Sequence, residues 1–234
     1  MSPPELDVER DASADAFRER IVQASIELIE EQGLSALSVR EVARRAGVSH
    51  QAPYHYFEDR EAILGAIAEQ GFRMLRDKVS AVAPPKAGGA LHEQMMAAGD
   101  AYIRFALAHP AYFRVMFRPE LVAPERHPNV MAEGDRACSI CYDIVRAAAS
   151  AGLPADPSID ALFLLFWSVG HGFACLALDG PLDVIFPGAD REAQLRDVLR
   201  AFSMLMDSHF AAAGRLKRSP AVKRKVSRSP RKRA

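Results

Sequence analysis

Apolar residues recur every three to four positions along most of this chain, the signature of amphipathic helices rather than strands. Over residues 15–31, Ile21, Ala24, Leu28 and Ile29 share one face, and Gly33 ends that helix. Val39, Val42 and Ala43 mark a second helix, with Ser38 three residues ahead of Glu41 as a capping box. Ala46, Gly47 and Val48 then form a tight turn, in which Gly47 supplies the positive φ that a helix end needs. Ser49 is placed to cap a third, short helix through Tyr56, and Asp59 a fourth over residues 60–82 that begins with Ala62, Ile63 and Ile67. Pro84-Pro85-Lys86-Ala87-Gly88-Gly89 breaks the chain after it.

Beyond the break, Leu91, Met95, Ala98, Tyr102 and Phe105 form a further amphipathic stripe. A short aromatic segment follows Pro110 (Tyr112, Phe113, Met116, Phe117), then a loop marked by Pro119, Pro124 and Pro128. Ala137, Cys141, Ile144 and Ala148 line another helix, closed by Gly152 and Pro154. Residues 161–178 are nearly all apolar, at the lower edge of what spans a membrane. Ser168, Gly170, His171 and Gly172 at their centre, the flanking Asp160 and Asp179, and the lack of adjoining basic residues predict a helix buried from several sides instead. A last helix over residues 190–213 carries Leu195, Val198, Leu199, Phe202, Leu205, Met206 and Phe210. Two such helices could pack on their copies as a four-helix dimer interface. No stretch alternates like a strand and no repeat is present, so the expected fold is all-α.

Composition refines this picture at the ends. The formal net charge is zero, yet from Arg215 onward there are ten Lys or Arg and no acids, which leaves twenty bases against thirty acids elsewhere. Residues 1–14 read as a disordered acidic arm with no signal peptide, and residues 214–234 as a disordered basic tail able to neutralise phosphates. Overall basicity is therefore no argument for DNA binding by the folded part. Three scattered cysteines make no disulfide framework and suit a reducing cytoplasm. Cys138 and Cys141 form a C-x-x-C, but His127 alone does not complete a zinc set, and they read as small core residues. No nucleophile motif, Gly-rich phosphate loop or H-E-x-x-H occurs, so no catalytic residue, metal or cofactor is expected.

Two short helices joined by a glycine-containing turn make a helix-turn-helix, whose second helix fits the DNA major groove. Ser38, Ser49 and Tyr54 hold hydroxyls at or near helix ends, where phosphate is favoured, and Arg60 opens the fourth helix as a further phosphate contact. Arg40, His50, Gln51, Ala52 and His55 are candidates for base edges: Arg for guanine, Gln for adenine, Ala for a thymine methyl. Pro53 and Phe57 read as framework, Arg44 and Arg45 as a solvated face.

The stretch SVREVARRAGVS, the Tyr-x-x-Phe of Tyr54 and Phe57, and the following DREAIL resemble the DNA-binding domain of the tetracycline-repressor (TetR) family over residues 17–75. The sequence departs from that pattern at one point, with His55 and Tyr56 standing where the family has x and His. The resemblance places base contacts at the five positions named and Tyr56 among the DNA-binding residues. It implies a DNA-binding domain over residues 15–60 and a ligand-binding and dimerisation domain over residues 61–213. It further implies a cytoplasmic, nucleoid-associated homodimer on a double-stranded inverted-repeat operator, repressing until a small-molecule effector binds, with no membrane partner. Trp167, His171 and Gly172 resemble the WHG-type C-terminal domain of one TetR subgroup. An effector pocket would then draw on Tyr102, Phe105, Tyr112, Phe113, Met116, Phe117, Trp167 and His171, suiting a largely apolar ligand. The alternative is a ligand-independent architectural DNA binder dominated by the basic tail; an all-α enzyme ranks third.

Overall fold

A computed structural model describes residues 3–82, 91–150 and 158–218. Its elements are α1 (Pro3–Gln32), α2 (Val39–Arg45), a 3-10 turn (Ala52–His55), α3 (Arg60–Ser80), α4 (Leu91–Ala108), α5 (Pro110–Met116), α6 (Pro128–Ser150), α7 (Ile159–Leu178), α8 (Pro181–Ile185) and α9 (Arg191–Arg218). Among the described residues there is no strand, as the periodicity predicts. The break at residues 84–89, the close of α6 at Gly152 and Pro154, and residues 219–234 of the basic tail lie outside the described residues.

Helix α3 is the element that both halves share. Asp59 caps it, its carboxylate accepting from the Ala62 N–H at 2.8 Å. Ile63, Leu64, Ile67, Ala68, Phe72, Leu75 and Val79 are buried along it. The cap contributes about 1 kcal/mol, whereas each fully buried aliphatic side chain contributes about 1.5–3 kcal/mol, so burial decides where the helix sits. Its first half closes a core with Ile21, Leu28 and Ile29 of α1, Val39 and Val42 of α2, and Phe57. Its second half packs on α5 and α6. Glycines on α3 permit that approach: a Cβ at Gly71 would lie 2.6 Å from the Met116 sulfur, and one at Gly65 would lie 2.5 Å from the His127 ring. The same apolar cluster continues through α4 and α5 to Ala174 and Leu195, so one core joins the two halves. A second cluster ties Met95 and Ala98 to Ile144, Leu162, Phe166, Phe202 and Met206.

Three expectations change. The arm at residues 1–14 is helical from Pro3, because prolines in a first turn forfeit no helical hydrogen bond and α1 simply continues. Helix α9 likewise runs past residue 213 to Arg218. Helix α7 is not enclosed on several sides within one chain. Leu162, Phe166, Gly170, Phe173 and Ala174 form its buried stripe, while Leu164 (58 %), Leu165, Trp167 and Leu176 are exposed. Met204 and Leu205 on α9 are exposed as well.

Candidate nucleic-acid interface and apolar cavity

The segment from α2 to α3 is held from beneath by backbone carbonyls that face arginines. The Ser38 hydroxyl accepts from the Glu41 N–H at 3.2 Å and opens α2. The other half of the capping box gives way to Arg44, whose Nε donates to both Glu41 carboxylate oxygens. That contact holds the Glu41 carboxyl below the usual range. Gly47, at φ 64°, reverses the chain, and the Val48 N–H closes the turn on the Ala43 carbonyl at 3.0 Å. Arg20 of α1 donates from Nε to the Ala46 carbonyl at 2.9 Å, bracing the turn from below.

The second helix is a 3-10 turn and its start is not capped by Ser49. The cap position is Gln51, without a side-chain cap bond, and Ser49 offers its carbonyl to the Ala52 N–H at 3.1 Å. Pro53 explains this: it has no N–H to bond back to Ser49, and it disfavours the α conformation at Ala52. The Tyr54 N–H therefore bonds the Gln51 carbonyl, three residues back. Ser38, Arg40, Ser49, His50, Gln51, Tyr54 and His55 are all exposed on this segment, and Ala52 is half-buried between them.

Two predicted contacts point elsewhere. The Tyr56 ring stacks on Phe17 of α1 with centroids 4.6 Å apart, and its carbonyl accepts from Arg18 at 3.0 Å. Arg60 donates from Nε to the Leu37 carbonyl (2.8 Å) and from Nη2 to the Leu34 carbonyl (3.0 Å), filling acceptors just ahead of α2. Both side chains hold the frame. Arg45, expected on a solvated face, is largely covered and paired with Glu31 and Glu27 of α1. Sequence reasoning missed Arg18 and Arg20, whose spacing of two carries no motif of its own.

The other candidate site is a cavity of about 710 Å³ bounded by α3, α4, the end of α5, α6 and α7. Of the predicted lining, Tyr102, Met116, Phe117, Trp167 and His171 face it. Phe105 of α4 and Tyr112 and Phe113 of α5 do not: they are buried in the core behind that wall, on helix faces turned away from the space. Phe72 and Leu75 of α3 complete the near wall, with Phe163 and Phe166 on α7. The α6 wall, including Met131, Gly134, Cys138 and Cys141, was not foreseen. Its signal was a stripe of small residues at helical spacing, which reads equally as tight packing. Cys138 and Cys141 are thus wall residues, and Cys138 is exposed. Burial pushes the Cys141 thiol up to about 11, so it is protonated at neutral pH. Among the described residues no group of three metal-ligating side chains forms.

Within this apolar wall one polar chain runs from helix to helix. Trp167 Nε1–H donates to the Tyr102 hydroxyl at 3.3 Å, and that hydroxyl lies 2.8 Å from His171 Nδ1. Burial raises the Tyr102 phenol above its ordinary range and lowers His171, favouring the neutral imidazole. The lining's two charged residues, Arg118 and Asp135, are exposed.

Residues 117–127, between α5 and α6, link the two sites. Arg118, Pro119, Val122 and Pro124 face the cavity. Farther along, Arg126 pairs with Glu61 and, at 2.9 Å, with Asp59, both at the start of α3. The Ala123 N–H donates to Glu61 at 3.0 Å, and His127 Nε2 lies 3.3 Å from the same oxygen without hydrogen-bond alignment.

Comparison with known proteins settles the kind of molecule. Residues 21–67 match the family of bacterial regulatory proteins described as tetR, and residues 95–202 match the tetracyclin repressor-like C-terminal domain. The chain belongs to the tetR family. It is accordingly a DNA-binding transcriptional regulator with a helix-turn-helix, not an enzyme. The second match contains Trp167, His171 and Gly172. An uncharacterized HTH-type transcriptional regulator of Mycobacterium tuberculosis is 23% identical over 197 residues, 84% of each chain. The HTH-type transcriptional regulator BetI of Rhizobium meliloti is 34% identical over 108 residues, 46% of this chain and 45% of that one. A solved protein of unknown function from Rhodococcus sp. RHA1 superposes with TM-score 0.64 at 30% identity, covering 84% of this chain and 94% of its own.

Proposed function

We propose that this tetR-family protein is a cytoplasmic, nucleoid-associated repressor that binds an inverted-repeat operator as a homodimer and leaves it when a small, largely apolar molecule fills the 710 Å³ cavity. The observation that carries this reading is the reach of α3. Its first turn is bonded to the DNA-facing segment through Arg60, while Phe72 and Leu75 on the same helix line the cavity. At about 1.5 Å per residue, the cavity begins roughly 18 Å along the rod from Arg60. A ligand that displaces the wall end therefore tilts the DNA end.

In this scheme Arg40, His50, Gln51, Ala52 and His55 meet base edges, and Ser38, Ser49 and Tyr54 meet phosphates. Arg60 and Tyr56 act by fixing the frame. The exposed apolar residues of α7 and α9 meet those of a second copy, which sets the two recognition turns about 34–36 Å apart. Residues 215–234 add sequence-independent affinity, so that truncation after Gly214 flattens log affinity against log salt. The test is a footprint on fragments selected from genomic DNA, repeated with candidate effectors. A protected region without two-fold symmetry rejects the dimeric operator. Because coupling is reciprocal, an effector bound equally by free and DNA-bound protein rejects ligand-controlled release.

A further inference from the structure

The chain of donors in the cavity wall fixes what a ligand must bring. Indole N–H is only ever a donor, so Trp167 fills one acceptor site on the Tyr102 oxygen. Tyr102 has a single O–H, and the residue is 8 % exposed. Two arrangements then remain for the 2.8 Å contact to His171 Nδ1. If His171 donated, the Tyr102 O–H would be left buried with no acceptor among the described residues, a cost comparable to losing a hydrogen bond outright. If Tyr102 donates, both the Trp167 N–H and the Tyr102 O–H have acceptors. His171 is then neutral with its proton on Nε2, the opposite edge of the ring, which has no partner among the described residues and is not among the buried unpaired atoms. Burial, which disfavours imidazolium here, agrees with the neutral ring.

We infer that the aromatic wall of the cavity presents a directed hydrogen-bond donor, His171 Nε2–H, and selects apolar molecules that carry an acceptor such as a ketone, ester or lactone carbonyl. The relay Trp167 to Tyr102 to His171 spans α4 and α7 and so points the donor from a rigid wall. Aromatic rings of the lining surround it: Phe117 and Trp167 lie 4.9 and 5.8 Å from the imidazole, centroid to centroid. They give the donor a largely apolar surround, while Ser168, Arg118 and Asp135 of the lining are exposed. The inference rests on the reading of this cavity as the effector site, and it adds the polarity of the ligand.

Three compounds of nearly equal shape test it by calorimetry on the full chain: benzophenone (acceptor), diphenylmethane (neither) and diphenylamine (donor). Trp167 is the only tryptophan in the chain, so its emission with diphenylmethane reports whether the cavity is occupied. Benzophenone is expected to bind about three- to tenfold more tightly than diphenylmethane, the worth of one neutral hydrogen bond. His171→Phe should erase that preference, and His171→Gln, whose amide N–H reaches the Nε2 position, should restore it. Equal binding of all three by the wild type overturns the donor while leaving the cavity in place. Tightest binding of diphenylamine establishes the opposite tautomer and also overturns it. Binding of none removes the cavity reading and this inference with it. The wild-type ranking decides the matter even if a variant fails to fold.

Discussion

Around the recognition turn, arginines from neighbouring helices reach backbone carbonyls: Arg20 to Ala46, Arg18 to Tyr56, Arg60 to Leu34 and Leu37. Around the cavity, aromatic rings pack on one another and a single hydroxyl relay is the main polar link. The first arrangement fixes a surface and leaves its outer side chains free for a partner. The second fixes a wall and leaves a space. A site for a charged, rigid groove calls for immobile backbone beneath mobile polar tips, whereas a site for an apolar ligand calls for contacts that can be remade at small cost. Direction matters in one region and shape in the other.

The largest expected effect separates wall from core inside the cavity half. Phe113 is buried behind the wall, so Phe113→Ala should cost about 3–5 kcal/mol of stability by opening a new void. Phe117 is half-buried and already faces open space, so Phe117→Ala creates no new cavity and should cost less than about 2 kcal/mol. Denaturant unfolding of both variants measures the difference. Equal costs would erase the distinction between the two aromatic layers.

The next effects contrast reading with framing at the DNA face. Gln51→Ala and Arg40→Ala should each lose discrimination at one base pair by about 1–3 kcal/mol, with thermal stability unchanged. Arg60→Ala should instead lower stability by about 1.5–3 kcal/mol, since two charge-assisted bonds to Leu34 and Leu37 carbonyls vanish. It should weaken every DNA sequence alike. Binding to a set of singly substituted operators, beside melting curves, tells these apart. A change in base preference on Arg60→Ala would return that residue to the reading surface.

The same contrast explains what was legible beforehand. Ser38, Gly47 and Asp59 act within four residues of their own positions, so capping and turn chemistry showed the helix-turn-helix directly. Pro53 showed a framework role but not that it forces a 3-10 turn and frees Ser49 from capping, a matter of which N–H is missing. In the cavity, Tyr102, Trp167 and His171 are expected from the resemblance as lining, yet their hydrogen bonds join residues 65 and 69 positions apart. Whether an aromatic faces a void or the core depends on the rotation of α4 and α5 about their axes. Apolar periodicity is identical in the two cases, which is why Phe105, Tyr112 and Phe113 were assigned to the wrong side. Small residues on α6 carried the missing signal, and only the packed structure distinguishes them from close contact.

The smallest effect concerns the join between the two regions. The Glu61 carboxyl is held below its usual value of 4.5 first by the Ala123 N–H and then by Arg126, and Asp59 is lowered below 3.8 chiefly by Arg126. A carboxylate with a depressed folded pKa binds fewer protons in the folded chain than in the unfolded one. Its stabilisation is therefore fully present above the unfolded value and is lost as pH falls through the folded value. Between neutral pH and about pH 4.5 this contribution should stay constant, and below that range it should fade as the segment 117–127 loosens from α3. Because these groups are solvent-exposed, the effect is small and salt-sensitive. Arg126→Ala should shrink the acid-side slope of melting temperature against pH without touching the cavity wall. In the same variant, an effector should loosen DNA binding less than in the wild type, because one of two links from the cavity to the start of α3 is gone. Melting curves from pH 3 to 7, paired with operator affinity with and without effector, measure both. An unchanged slope together with unchanged coupling would leave the helix rod of α3 as the sole mechanical connection.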